Sequence, residues 1–440
     1  MRALVARISS LTGARLLGSV ATFALTILIA REFGTQALAQ FAVFVAAGNL
    51  ISVLLPFGHH SRAIIDIPKL ARESRIAGVR QFLFDGYRTI AMIGAFLMIL
   101  AGAAWALAHW SGIATGSYLP VALGILAIAP IMALNHLHGG VLVGLQRPYV
   151  GQLPDGLFRP VIVLMMLGLL VAYGSDRSFW WVLICVGAGA VLTALVQAKA
   201  LWPYISAKAV ALDCDEASGG GKRQINAAWL GVTLCWDYHI DLLLVSVALY
   251  ASAEEIALLH VCFRIRALAG FAIRSAYLVI QPRIVEYRAA ADLQAMASEI
   301  QNLNRLVALY CVAIITILWF LAGHVLSVFD PVFAQYGSVL LIICAAIPLR
   351  ALFGPSITLL ASDGRQDLIF TILAGGVLAS LVLSVLLHPV AGVAAVASAY
   401  AGCVFASAVL AWAYAKVKCG TDTAIWAGHT VRPAVSGTSA

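Results

Sequence analysis

Eight ionisable side chains interrupt long apolar stretches of this sequence: Arg15, Arg159, Arg264, Arg266, Arg274 and Arg350, against Asp237 and Asp241. Charge at membrane depth is costly and, where it occurs, usually faces a bundle interior or a wet cavity, so these residues carry most of the chemical information. Guanidinium stays protonated and grips phosphate through two parallel hydrogen bonds; six arginines against two acids therefore point to a ligand bearing phosphate or diphosphate. Asp237 and Asp241 are four residues apart, a spacing that puts both on one helix face, where paired carboxylates suit proton or cation coupling. The competing reading is a structural ion pair, with Asp241 and Arg264 at nearly the same depth in adjacent spans. Arg159 and Arg274 lie near span ends, within reach of lipid headgroups. Arg264 and Arg266, about 200° apart around a helix, do not both face one lumen. Arg15 and Arg350, with no acid on their own spans, are the better lumen candidates.

Other chemistries fail on context. Gly219-Gly-Gly-Lys222 has no Ser or Thr after the lysine and no strand before it, so it reads as linker. His59-His60 and His136-x-His138 have no carboxylate or cysteine at metal-ligand spacing, and no cofactor is expected. The eight cysteines are scattered singly, six of them in apolar segments, and read as small core residues. Asn135, His136 and His138 fit either a polar cavity wall or hydrogen bonding between helices, the latter favoured.

The elements that position these groups follow from composition. Of 440 residues, 62% are apolar and 11% charged, far from the balance of an average soluble domain. The excess must face lipid, which excludes ordinary soluble enzymes and secreted disulfide scaffolds. Twelve stretches are long and apolar enough to span, near 10–31, 37–57, 89–110, 118–146, 155–174, 178–199, 226–249, 256–280, 305–324, 336–362, 368–388 and 391–415. The predicted fold class is an all-α integral membrane protein. Arg2 and Arg7 ahead of the first stretch resemble a signal peptide, yet Arg15 interrupts the run and no small-residue cleavage site follows, so a retained helix is expected. With the N-terminus inside, the outer loops hold Arg177 alone, whereas the inner connections are basic from Arg62 and Arg75 to Arg283 and Arg365. That asymmetry puts both termini in the cytoplasm. It also absorbs the net charge of +8, leaving no reason to invoke nucleic acid.

A displacement of 218 residues superposes Leu123 on Leu341, Ile125 on Ile343, Pro130 on Pro348, Leu134 on Leu352, Leu142 on Leu360 and Arg147 on Arg365. Six spans being an even number, the halves run parallel, an arrangement that supports alternating access around a central cavity. The expected organisation is a six-helix lobe over 1–205, a cytoplasmic linker over 206–225 containing Ser218-Gly-Gly-Gly, a second six-helix lobe over 226–418, and a cytoplasmic tail over 419–440.

Ala30-Arg-Glu-Phe-Gly34, Phe41, Phe44 and Leu55-Pro-Phe-Gly58 with Arg62 resemble the first helix pair of polysaccharide repeat-unit flippases of the multidrug/oligosaccharidyl-lipid/polysaccharide (MOP) exporter superfamily. Asp241-Leu-Leu-Leu-Val245, Ala253-Glu-Glu-Ile-Ala257, Pro282 and Asp292-Leu293 resemble its middle segment. Leu352-Phe-Gly-Pro355, Leu360, Gly364, Pro389 and Gly392-Val-Ala-Ala395 resemble its last helices. The resemblance implies two six-helix bundles around a cavity, flipping undecaprenyl-diphosphate-linked oligosaccharide across the bacterial inner membrane for surface polysaccharide synthesis, with proton or sodium as candidate coupling ion. It also implies a cationic lumen matched by Arg15 and by Arg266 or Arg274; Arg350 is added from the residues themselves. The first half departs from the pattern, its second span offering only Asn49 as a polar contact.

Two other readings stand beside this one. A multidrug antiporter of the same superfamily needs acids that attract organic cations, which the arginine excess opposes. A membrane-embedded glycosyltransferase or polymerase needs a sizeable catalytic loop outside the membrane, and none of the outer loops is long enough.

Overall fold

The computed structural model describes residues 2–72, 76–110, 119–174, 176–206, 230–290, 292–363, 365–418 and 420–427. Most of the expected linker, and the tail beyond 427, lie outside the described residues. Helices account for nearly all that is described, as α1 (Arg2–Leu54), α2 (His59–Arg72), α3 (Ile76–Trp110), α4 (Leu119–Gly144), α5 (Pro148–Leu153), α6 (Arg159–Ala172) and α7 (Phe179–Ile205). They continue with α8 (Leu230–Asp237), α9 (His239–Val247), α10 (Ala253–Ala289), α11 (Leu293–Ser327), α12 (Gly337–Ala351), α13 (Ser356–Ser362) and α14 (Gln366–Lys418). A π-helical turn, Pro154–Phe158, joins α5 to α6.

Among the described residues nine helices are long and apolar enough to cross a membrane, ten when the bent pair α8 and α9 is one span. The chain is a multi-pass membrane protein. α1 and α14 have 53 residues each. A straight helix of that length would be about 80 Å long, against a hydrocarbon core of about 30 Å. Each is instead two helices meeting at a non-helical glycine: Gly34 (φ 82°, ψ 173°) and Gly392 (φ 56°, ψ −136°). Dividing both brings the described spans to the twelve expected. Glycine takes these positive φ values without the Cβ clash that any other residue meets. Large apolar side chains such as Trp319, Phe320 and Leu386 are exposed, as lipid-facing positions require.

Two compact units make up the chain. The first comprises Met1–Leu234, Ile240–Ala248 and Ser252–Ala257; the second comprises Cys235–His239, Leu249–Ala251 and Leu258–Ala440.

In the first unit, one core joins α2, α3, α4 and α7 through residues such as Ala63, Leu83, Leu137 and Leu201. Lipid is as apolar as leucine, so packing and hydrogen bonds between helices do the holding. Asn135 Nδ2 donates to Ala190 O (3.1 Å), Gln197 Nε2 to Gly151 O (2.9 Å), and Tyr87 Oη lies 2.8 Å from His138 Nε2. Asn135 and His138 thus tie α4 to its neighbours, the favoured one of their two readings.

In the second unit, Ala269 and Ile273 of α10, Val307 and Cys311 of α11, and Ile347 and Ala351 of α12 form one core. Tyr310 Oη donates to Ala269 O (2.7 Å), bonding α11 to α10. The expected span 336–362 is broken: α12 ends at Ala351 and α13 begins at Ser356, with Gly354 at φ +61° between them.

Candidate functional site

Arg266, Gly270 and Arg274 recur every fourth residue on α10, with Tyr277 following, so they share one stripe of the helix. Gly270 leaves space beside Ile347 of α12, and Arg350 follows one turn further along that helix. Arg266, Arg274 and Tyr277 all lie within electrostatic range of Arg350. The second unit therefore gathers three of the predicted site residues, Arg266, Arg274 and Arg350, in one cluster.

What holds each guanidinium differs. Arg350 lies over the Trp236 ring of α8, its Cζ 4.2 Å from the ring centroid. Arg266 lies over the ring of the fully buried Tyr400 of α14 at 5.3 Å. Among the described residues neither has a carboxylate partner, and both the Arg266 Nε and the Tyr277 hydroxyl are buried without a hydrogen-bond partner. Cation–π contact with an electron-rich ring thus replaces the ion pair that usually accompanies a buried cation. Arg274 is different: its Nη2 is 2.8 Å from Asp237 Oδ1, and both side chains are well exposed. The arrangement presents two unneutralised guanidiniums and a third on an exchangeable pair, flanked by aromatic faces. It suits an anion with several oxygens.

The expectation that Asp237 and Asp241 share a helix face is corrected. α8 ends at Asp237, α9 starts at His239, and the chain bends by 69° there. The four-residue rule holds only within an unbroken helix. Asp237 belongs to the second unit with Arg274, whereas Asp241, in the first, accepts a hydrogen bond from Asn49 Nδ2 at 3.4 Å. Arg264 points its Nε toward His260 Nε2 at 3.5 Å, away from the stripe of Arg266, as the 200° argument expects. Arg159 forms a one-turn ion pair with Asp155 at 2.9 Å. Arg15 is exposed on the first part of α1 in the first unit.

Tyr277 and Tyr400 were missed from the sequence. The stripe 266, 270, 274, 277 is a signal for Tyr277. Nothing local marks Tyr400, which reaches Arg266 only through the packing of α14 on the unit.

No family model and no curated protein matches the sequence. Solved structures do match. An inward-facing multidrug resistance MATE family transporter of the MOP superfamily aligns at TM-score 0.74 and 12% identity, over 92% of this chain and 97% of that one. The lipid II flippase MurJ, in an inward closed conformation, aligns at TM-score 0.72 and 15% identity, over 92% of this chain and 87% of that one. A MOP superfamily transporter from Pyrococcus furiosus, described as having a binding pocket of reverse polarity, aligns at 0.65 and 14%, over 93% and 94%. The chain has the fold shared by these transporters and flippases.

Proposed function

We propose that this protein flips undecaprenyl-diphosphate-linked oligosaccharide repeat units across the bacterial inner membrane by alternating access, for surface polysaccharide synthesis. The observation that carries the reading is the cluster of Arg266, Arg350 and Arg274, two of them without a carboxylate partner among the described residues, on a transporter fold. A diphosphate loses its hydration on entering an apolar medium, and fixed guanidiniums replace that loss. Aromatic rings beside them suit sugar faces or isoprenoid carbons. Arg15 keeps its place in the proposal as a substrate-binding residue of the first unit.

Asp237 and Asp241 are the proposed ion-coupling residues. An anion that draws Arg274 away leaves the Asp237 carboxylate uncompensated and open to a proton or sodium ion, so anion and cation would favour one another's binding. An organic-cation antiporter fits this cluster less well, because one of its carboxylates is already taken by arginine and the net charge repels a cation. The proposed lobes are 1–205 and 226–418, with both termini and the 206–225 linker cytoplasmic, as the positive-inside asymmetry supports. No enzymatic activity is proposed.

The test is reconstitution in liposomes, following the appearance of a lipid-linked oligosaccharide on the opposite leaflet with and without an imposed ion gradient. The wild type is expected to flip it, and Arg15→Ala and Arg350→Ala to insert, fold and lose most of that activity. Unchanged transport in both variants overturns the site assignment.

A further inference from the structure

The break between α12 and α13 leaves backbone carbonyls without helical partners, because Gly354 turns the chain and Pro355 has no N–H to give. In a protein of this class such groups must be satisfied from elsewhere. The short segment after α14 satisfies them: Ile425 N donates to Leu352 O (2.9 Å) and Thr423 Oγ1 to Phe353 O (2.8 Å). The segment is clamped in return, Asn304 Nδ2 donating to Thr423 O (2.9 Å) and Gln301 Nε2 to Ala424 O (3.0 Å). A Cβ on Gly354 would lie 2.2 Å from Thr423 O, so the segment runs directly against the break. Thr423 and Ala424 are fully buried, a rare condition for residues beyond a terminal helix.

Two observations tie this clamp to the arginine cluster. Arg350 lies in the last turn of α12, and its carbonyl accepts the Phe353 amide at 3.2 Å, so the break and the guanidinium share one turn of backbone. The 218-residue displacement maps Leu352 and Phe353 onto Leu134 and Asn135 inside α4, which runs unbroken through both. The break exists only in the half that carries Arg350, and the segment docks on that break. At its near end Asp422 is held by Lys416 Nζ (2.8 Å) and Trp412 Nε1 (2.7 Å) of α14.

We propose that residues 421–427 form a positioning latch: they close the break after α12 and so hold Arg350 on Trp236, setting the anion affinity of the cluster. Thr423 and Asp422 are positioning residues, acting through Arg350. The affinity part rests on the phosphate-binding reading above; the placement of Arg350 does not.

Thr423→Val removes the hydroxyl donated to Phe353 O at nearly constant volume, and Thr423→Ser keeps it. Two readouts on the full chain in detergent separate the claims. Phenylglyoxal modification of Arg350, followed by peptide mass spectrometry, is expected to quicken about fivefold or more in Thr423→Val and to stay at the wild-type rate in Thr423→Ser. Affinity for a short-chain polyprenyl diphosphate is expected to fall about three- to tenfold in Thr423→Val, to be restored in Thr423→Ser, and to be unaffected by Thr423→Val once Arg350→Ala is present. An Arg350 that reacts at the wild-type rate in Thr423→Val overturns the latch. So does a loss of affinity that repeats in full on the Arg350→Ala background, which is the behaviour of a merely structural anchor. If the wild type binds no diphosphate, the functional reading falls while the modification rate still decides the latch. Should Thr423→Val fail to fold, Asp422→Ala, which frees the segment from Lys416, replaces it with the same expectations.

Discussion

Replacing Arg266 by methionine should change stability and binding in opposite directions. A lone arginine at mid-span costs about 2.5–3.5 kcal/mol on insertion scales. Its contact with the Tyr400 ring, at 5.3 Å and away from water, offsets about 2 kcal/mol of that. Because Arg266 has no carboxylate partner among the described residues, no partner is stranded by its removal. Arg266 therefore carries a net cost of about 1 kcal/mol in the folded protein, and Arg266→Met should raise stability by roughly that amount. Its charge-assisted bond to a phosphate is worth about 1.5–3 kcal/mol, so the same change should weaken diphosphate binding by roughly ten- to 150-fold. Thermal unfolding in detergent and titration with a short-chain polyprenyl diphosphate measure the two effects on one preparation. A variant that melts earlier than wild type yet binds as tightly would refute the reasoning, because it would make Arg266 a structural cation.

Asp237→Asn should free Arg274 and tighten diphosphate binding severalfold in the same titration, while shifting stability by less than about 1 kcal/mol because the pair it breaks is exposed. Tyr87→Phe should lower the unfolding free energy by about 0.6–1.7 kcal/mol through loss of the bond to His138, without altering diphosphate affinity. Burial of Asp422 opposes its ionisation, but hydrogen bonds from Lys416, Trp412 and the Ala424 amide, with the Lys416 charge, prevail and hold the carboxyl below its ordinary value of 3.8. Its stabilising contribution is complete above that value and lost as pH falls through the lower folded-state value. Thermal scans in acid should show this loss in wild type and not in Asp422→Asn.

How much of this was legible in the sequence depends on what each feature rests on. The spans were, because a run of apolar residues long enough to cross hydrocarbon has few other uses. The arginine cluster was legible in part: rarity flagged Arg266, Arg274 and Arg350, and four-residue spacing aligned the first two. The face shared by Asp237 and Asp241 was misread because periodicity presumes a continuous helix, and the bend at Tyr238 has neither glycine nor proline to announce it. The latch was illegible for a different reason. Gly354-Pro355 signals a break, but which distant residues satisfy the freed carbonyls is decided by packing, and Thr423 and Ile425 look like ordinary loop positions.

The three clustered arginines differ in what an incoming anion must displace, and that difference orders the events. Arg350 and Arg266 rest on rings, whose attraction does not compete for the guanidinium's hydrogen-bond donors, so an anion gains both without breaking an ion pair. Arg274 must first leave Asp237, a carboxylate that competes for the same Nη2. An anion too small to hold Arg266 and Arg350 at once would have little surplus binding to spend on that exchange, whereas a diphosphate offers oxygens to all three. On this reasoning, inorganic phosphate should bind weakly and be indifferent to Asp237→Asn, and a polyprenyl diphosphate should bind more tightly and respond to it. If both anions responded equally, Arg274 would be an ordinary member of the cluster, and the link proposed between substrate and coupling ion at Asp237 would fall.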